Sequence, residues 1–390
     1  MDVGTRAARL WASCLRISVV LALVVLAGRA SVEAQQGWDE RLDRFAAELA
    51  DGVAADSIGG IVAGVAIDGD LVWAGAFGWA DRDARRPMEP SAVSRTGSIS
   101  KSVTAVLMMR LVDEGVIELD EPVEGHLPEM RGLLQPRQGA DAVTFRHLAS
   151  HTAGLVREPD WRESVVGPIE AWEERILQSI PRTGYDSIPG ARYQYSNIGF
   201  GMLGLALSRA AGRPFMQMVQ DEIFVPLGMT GSSFVVAGAE LEPRLAAGYT
   251  VRDGVVNGDQ PAAEHAGRGY KVPNGGVYST VADLARFLGA ASGVPGLRIL
   301  SEESRREMIR VQTPEDPGDG YGLGFRVSVD EAGRRMVSHG GSVAGYTAHM
   351  AVDPDAGVSV ILLRNYGGGA INLGRAAQGL VRDLREMPRQ

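Results

Sequence analysis

Among its 390 residues the sequence has one cysteine, Cys14, and two lysines, Lys101 and Lys271, against 37 arginines. A single thiol excludes an internal disulfide framework and any cysteine-based metal cluster. Basic blocks are absent and the net charge is -9, which argues against nucleic acid or anionic lipid as a partner. The apolar run from Ile17 to Ala27 is eleven residues, short of the roughly 20 that span a bilayer. Three arginines, Arg6, Arg9 and Arg16, precede it and small residues follow, which is the layout of a secretory signal peptide cut after Ala34. Cleavage would remove Cys14, four arginines and two acids, leaving a net charge of -11. No stable membrane insertion is then expected, and residues 35–390 form the mature chain. The alternative is an uncleaved anchor.

At 45% hydrophobic and 22% charged residues, the chain has globular composition and can bury a large core. Trp38, Leu42, Phe45 and Leu49 recur at helical spacing near the start. Leu373, Ala377, Leu380 and Leu384 repeat the pattern near the end. "IVAGVAIDGDLVWAGAFG" reads as two strands turning at Asp68 and Gly69, and "GFRVSVD", "RRMVSHG", "AGYTAHMAVD" and "GVSVILLRN" add short strands with tight turns. Such connections favour an antiparallel sheet. The expected fold is α/β: this sheet flanked by the terminal helices, with a mainly helical lobe inserted. The sheet lobe takes about 38–101 and 291–390, the helical lobe about 102–290, and the active site lies between them.

"TGSISKSVTAVLMMRLVDEG" opens a helix with Ser98 and Lys101 three apart, on one face. A neutral amine there can take the serine's proton and make it a nucleophile. Arginine cannot, because its guanidinium stays charged. The helix start also offers an unpaired backbone N–H to a developing oxyanion. Taken alone, S-x-x-K reads equally as a capping serine and a solvated lysine. The scarcity of lysine favours chemistry, and so do "YQYSNIGFG", with Tyr195 and Asn197 as Y-x-N, and "SHGGSVAGY", with His339, Gly340, Gly341 and Ser342.

These three elements in this order, with "TFRHLASHTAGL", "PLGMTGSSF", "GGVYSTVADLARFL" and "YGLGF", resemble the beta-lactamase-related serine hydrolases over roughly residues 40 to 385. The group includes class C beta-lactamases, D-alanyl-D-alanine carboxypeptidases, D-aminopeptidases and lactamase-like esterases. The resemblance implies that Ser98 is acylated, Lys101 activates it and Tyr195 shuttles its proton to the leaving group. It implies that Asn197 binds the substrate amide or orients Lys101, that the Ser98 and Ser342 N–H groups form an oxyanion hole, and that Gly340, Gly341 and His339 border the substrate. In the lactamases a lysine stands where this chain has His339, pairing with a substrate carboxylate. That departure favours an esterase or D-amino-acid peptidase over a class C-like beta-lactamase. The substrate is expected to be a small molecule or short peptide, with no metal or cofactor. A reading of another class is a non-catalytic ligand-sensing or scaffold protein on the same fold.

Other signals carry less. "GFGMLG" matches a dinucleotide motif but follows a polar loop instead of a strand, so close helix packing is preferred. His147 and His151 share helical spacing without a third ligand, and are expected to orient a loop near the site. Trp161 and Trp172 read equally as cleft wall or core, and Lys271 reads as a solvated loop residue. No G-x-S-x-G occurs, so a nucleophile elbow is not supported.

Overall fold

The computed structural model of the chain describes residues 35–134, 142–238, 240–315 and 318–388. Residues 1–34, read from the sequence as a signal peptide, lie outside the described residues. Asp68 and Gly69 both take positive φ, 50° and 82°, giving the two-residue turn whose twist suits a hairpin. It joins β1 (Gly60–Ile67) to β2 (Asp70–Asp81), which pairs with β3 (Arg86–Pro87). The later strands are β4 (Asp319–Tyr321), β5 (Arg326–Val329), β6 (Arg335–Val343), β7 (Tyr346–Asp353) and β8 (Val358–Arg364). They form one eight-stranded antiparallel sheet in the order β3-β2-β1-β8-β7-β6-β5-β4. The joint is β1 against β8, from Ile61 opposite Arg364 to Ile67 opposite Val358. Early and late parts of the chain therefore meet mid-sheet, and the residues between them form an insertion.

Strand alternation divides the sheet into two apolar faces. Ile61, Ala63 and Val65, with Val358, Val360 and Leu362, face α1 (35–56) and α5 (Leu373–Glu386). Every residue of the two terminal helical seams expected from the sequence is buried there. Each fully buried Leu or Phe contributes about 2 kcal/mol. Val62, Ala66, Ile361 and Leu363 belong to the other face, with Val281, Leu284, Ala285 and Leu288 of α4 (Val281–Ser292). This helix starts inside the stretch read from sequence as helical lobe. Its apolar stripe docks on β1, β2 and β8, so this helix packs with the sheet.

Two helices of the inserted stretch expose little surface. In α2 (Ser100–Asp113) eleven of 14 residues are buried, and α3 (Asn197–Ala211) is similar, as expected for helices enclosed on most sides. "GFGMLG" lies within α3, where a Cβ at Gly204 would come 2.4 Å from Pro273. The glycine serves close packing there, as the sequence context favoured.

Candidate active site

Ser98 lies in the 3-10 turn Gly97–Ile99 that leads into α2. Thr96 occupies the N-cap position, without a side-chain cap bond. Ser98 is therefore not a capping serine. One turn in, Lys101 is fully buried, with its Nζ 3.2 Å from Ser98 Oγ. The same Nζ is 2.7 Å from Asn197 Oδ1 and 3.1 Å from the Asn274 carbonyl oxygen. A neutral amine has two N–H donors and one lone pair. Asn197 and Asn274 take the donors, which leaves the lone pair for the Ser98 hydroxyl. Burial, together with the Lys271, Arg157 and Arg268 cations, holds the Lys101 pKa well below its ordinary value despite the opposing charge of Glu158.

Asn197, the first residue of α3, is oriented from its other side. Its Nδ2 donates to Glu158 Oε1 at 2.6 Å, which turns Oδ1 toward Lys101. Glu158 also accepts from the Tyr270 hydroxyl and, at 3.2 Å, from Lys271 Nζ. Both lysines of the chain thus belong to one network. Lys271 is not the solvated loop residue expected: its side chain is 18% exposed. Glu158 and Asn274 have no motif in the sequence. Their only signal is physical, since a buried lysine needs acceptors and a buried ion pair needs both charges.

Tyr195 lines the same cleft as Ser98, and burial raises its pKa against the opposing influence of the Ser98 hydroxyl. Its ring stacks 4.1 Å from that of His151, whose Nδ1 accepts the Ser196 N–H at 3.1 Å. His151 therefore orients the Tyr195 loop. His147 instead completes a capping box with Thr144 on the helix Phe145–Ala149. Trp172 packs on Phe215 in the core, while Trp161 lies beneath Arg175 and Arg182.

On β6, a Cβ at Gly341 would stand 1.8 Å from the Thr96 carbonyl oxygen, and one at Gly97 would stand 2.8 Å from the Ser342 nitrogen. Only glycine permits this approach of backbone to backbone, which brings Ser98 and Ser342 to a common rim. Both line an open cleft of about 550 Å3 with Arg157, Tyr195, Gly340 and Gly341. His339 does not line it. Its side chain lies on the same face of β6 as Gly341 but is taken up by neighbours: Nδ1 donates to the Gly340 carbonyl at 2.8 Å and Nε2 accepts from the Tyr321 hydroxyl at 2.7 Å. Burial lowers its pKa to about 3. His339, expected from the sequence to border the substrate, is here a neutral residue bracing the strand.

A hydroxyl against a buried amine whose pKa is held well down, beside backbone amides at a strand edge, is the equipment of a serine hydrolase. A family model described as Beta-lactamase matches residues 45–380; the chain belongs to that family and is a serine hydrolase. It is 31% identical over 348 residues to Esterase EstB of Burkholderia gladioli, covering 78% of this chain and 86% of the esterase. It is 25% identical over 292 residues to the D-alanyl-D-alanine-carboxypeptidase/endopeptidase AmpH of Escherichia coli (strain K12), covering 71% and 72%. The solved structure of a D-stereospecific amidohydrolase from Streptomyces sp. superposes with a TM-score of 0.67 at 25% identity, covering 84% of this chain and 95% of that one. The fold is thus the beta-lactamase-like one that the motifs implied.

Proposed function

We propose that the protein is exported and hydrolyses a small ester or a D-amino-acid amide through an acyl-enzyme at Ser98. As Ser98 Oγ adds to the carbonyl carbon, its proton passes to the Lys101 lone pair, and the Ser98 and Ser342 N–H groups donate to the oxyanion. Tyr195 hands a proton to the departing alkoxide or amine. Water then adds to the acyl-enzyme with Tyr195 as its base, and the acid leaves as Lys101 returns the proton to Ser98 Oγ. The observation that carries this reading is the 3.2 Å contact of Lys101 Nζ with Ser98 Oγ, with both other Nζ partners being acceptors. Export rests on residues 1–34 as a leader.

An esterase or peptidase is preferred to a beta-lactamase because β6 carries no cation at 339, where a carboxylate anchor would stand. A relative named an esterase and one named a carboxypeptidase support that choice. The test sets a short-chain aryl ester, a D-alanyl-D-alanine peptide and a chromogenic cephalosporin side by side, with an intact-mass spectrum of the adduct. Turnover of ester or peptide with an adduct lost in Ser98→Ala is expected. Rapid turnover of the cephalosporin alone would reverse the preference, and no adduct with any of the three would leave a non-catalytic protein.

A further inference from the structure

The chain is acidic, yet none of the residues lining the cleft is Asp or Glu, and two are arginines, Arg157 and Arg364. Histidine adds no charge there, since burial lowers the His349 pKa to about 4. The arginines differ in what they do. Arg364 is buried and donates to Thr347 Oγ1 at 2.9 Å and to the Ile371 carbonyl at 3.1 Å, bracing the cleft wall. Arg157 is exposed. Among the described residues its side chain has no ion pair and no hydrogen bond. Its guanidinium carbon stands 4.8 Å from the centre of the Tyr195 ring, and Tyr195 lines the cleft beside Ser98, close enough for that hydroxyl to act on its pKa. A permanent cation therefore lies within one tyrosine's length of the reacting oxygen, with its donors open to the cleft. Its neighbour Glu158 does not neutralise it, being turned away to Asn197, Tyr270 and Lys271.

We infer that the substrate carries a carboxylate close to the scissile bond and that Arg157 binds it. The carboxylate anchor lies not on β6 but across the cleft, on the loop that leads to α3. The guanidinium fork matches a carboxylate and stays charged at every working pH. This rests on Ser98 being the acylated residue.

Two matched pairs of aryl esters test it. 4-Nitrophenyl hemiglutarate against 4-nitrophenyl pentanoate places the charge on the acyl side; 4-acetoxybenzoate against its methyl ester places it on the leaving group. In at least one pair the charged member is expected to have the higher kcat/KM. Arg157→Gln should cut that ratio by about tenfold or more, the factor carried by a hydrogen bond to a charged group, chiefly through KM. Arg157→Lys should retain part of it, and the ratio should shrink with added salt.

A ratio that survives Arg157→Gln, or equal losses on both members of a pair, overturns the assignment; the second outcome makes Arg157 only a support for Tyr195. Calorimetry of glutarate binding to Ser98→Ala, with and without Arg157→Gln, reads the same contact without turnover. Binding that requires Arg157 supports the assignment, and binding indifferent to it counts against it. Failure of the Ser98 reading shows differently, as absence of any adduct while glutarate still binds.

Discussion

Replacing Lys271 with methionine tests how the buried lysine is kept neutral. In the wild-type network the Glu158 charge is matched by Lys271 at 3.2 Å. Lys271 is also the leading nearby charge that lowers the Lys101 pKa, after burial itself. The substitution removes that repulsion, which exceeds the opposing pull of Glu158 on Lys101, so the Lys101 pKa rises by at least what the Glu158 attraction is worth. The Asn197 amide separates Lys101 from Glu158 by links of 2.7 Å and 2.6 Å, which puts the charges about 7 Å apart. At an effective dielectric near 20 their attraction is about 2.4 kcal/mol. The Glu158 side chain is 38% exposed, so solvent screening brings this nearer 1.4 kcal/mol, or about one pKa unit. In the proposed mechanism acylation needs the neutral amine, so activity is expected to rise with pH through the Lys101 pKa. The acid limb of kcat/KM on an aryl ester should therefore move up by about one pH unit in Lys271→Met. Lys271→Arg, which keeps the charge, should leave it near its wild-type position, and Glu158→Gln should move it down. A limb that stays in place in Lys271→Met, or moves equally in Lys271→Arg, would refute the electrostatic account.

Lys101→Met removes the lone pair while keeping an unbranched chain in the pocket, and should lower kcat/KM by about a hundred- to ten-thousandfold, the range of a general base. Because the folded-state pKa of Lys101 is depressed, the wild type loses stability as pH falls from the ordinary lysine value toward the folded one. The Met variant escapes that loss, and thermal melts should show its advantage growing from pH 9 to pH 6. Gly341→Ala should lower kcat by about a hundredfold or more, since its Cβ forces the strand away from Thr96 and misplaces the Ser342 amide. Gly367→Ala, with nothing within 4 Å of the added carbon, is the control, and steady-state kinetics on one aryl ester compares the two.

What was legible in the sequence was local. The seams of α1 and α5 show in the spacing of Trp38, Leu42, Phe45 and Leu49 and of their late counterparts, because one buried face fixes a period. The Asp68–Gly69 turn shows because positive φ restricts residue choice. Ser98 and Lys101 show because three residues of helix place them side by side. What stayed hidden depends on segments far apart in the chain. The Asn274 acceptor is a backbone carbonyl, which any residue could supply. Glu158 and Lys271 are an ordinary acid and base until folding brings their loops together. His339 stands on the strand read for it, but its Nε2 is taken by the Tyr321 hydroxyl, a pairing between strands that no local pattern shows.

Arg157 links binding to the state of the catalytic base. Its charge is among those that hold the Lys101 pKa down, so a carboxylate paired with it offsets part of that influence once substrate is bound. The Lys101 pKa should then be higher in the enzyme–substrate complex than in the free enzyme. The pH dependence of kcat reports the complex, and that of kcat/KM the free enzyme. With a carboxylate-bearing ester the acid limb of kcat should lie at higher pH than that of kcat/KM; with the neutral ester of the same length the two should coincide. Arg157→Gln should close the gap by removing the charge being offset, even though both limbs start from a higher pH. Coincident limbs with the charged ester would mean that bound carboxylate and Lys101 do not sense one another, and would place the carboxylate away from Arg157.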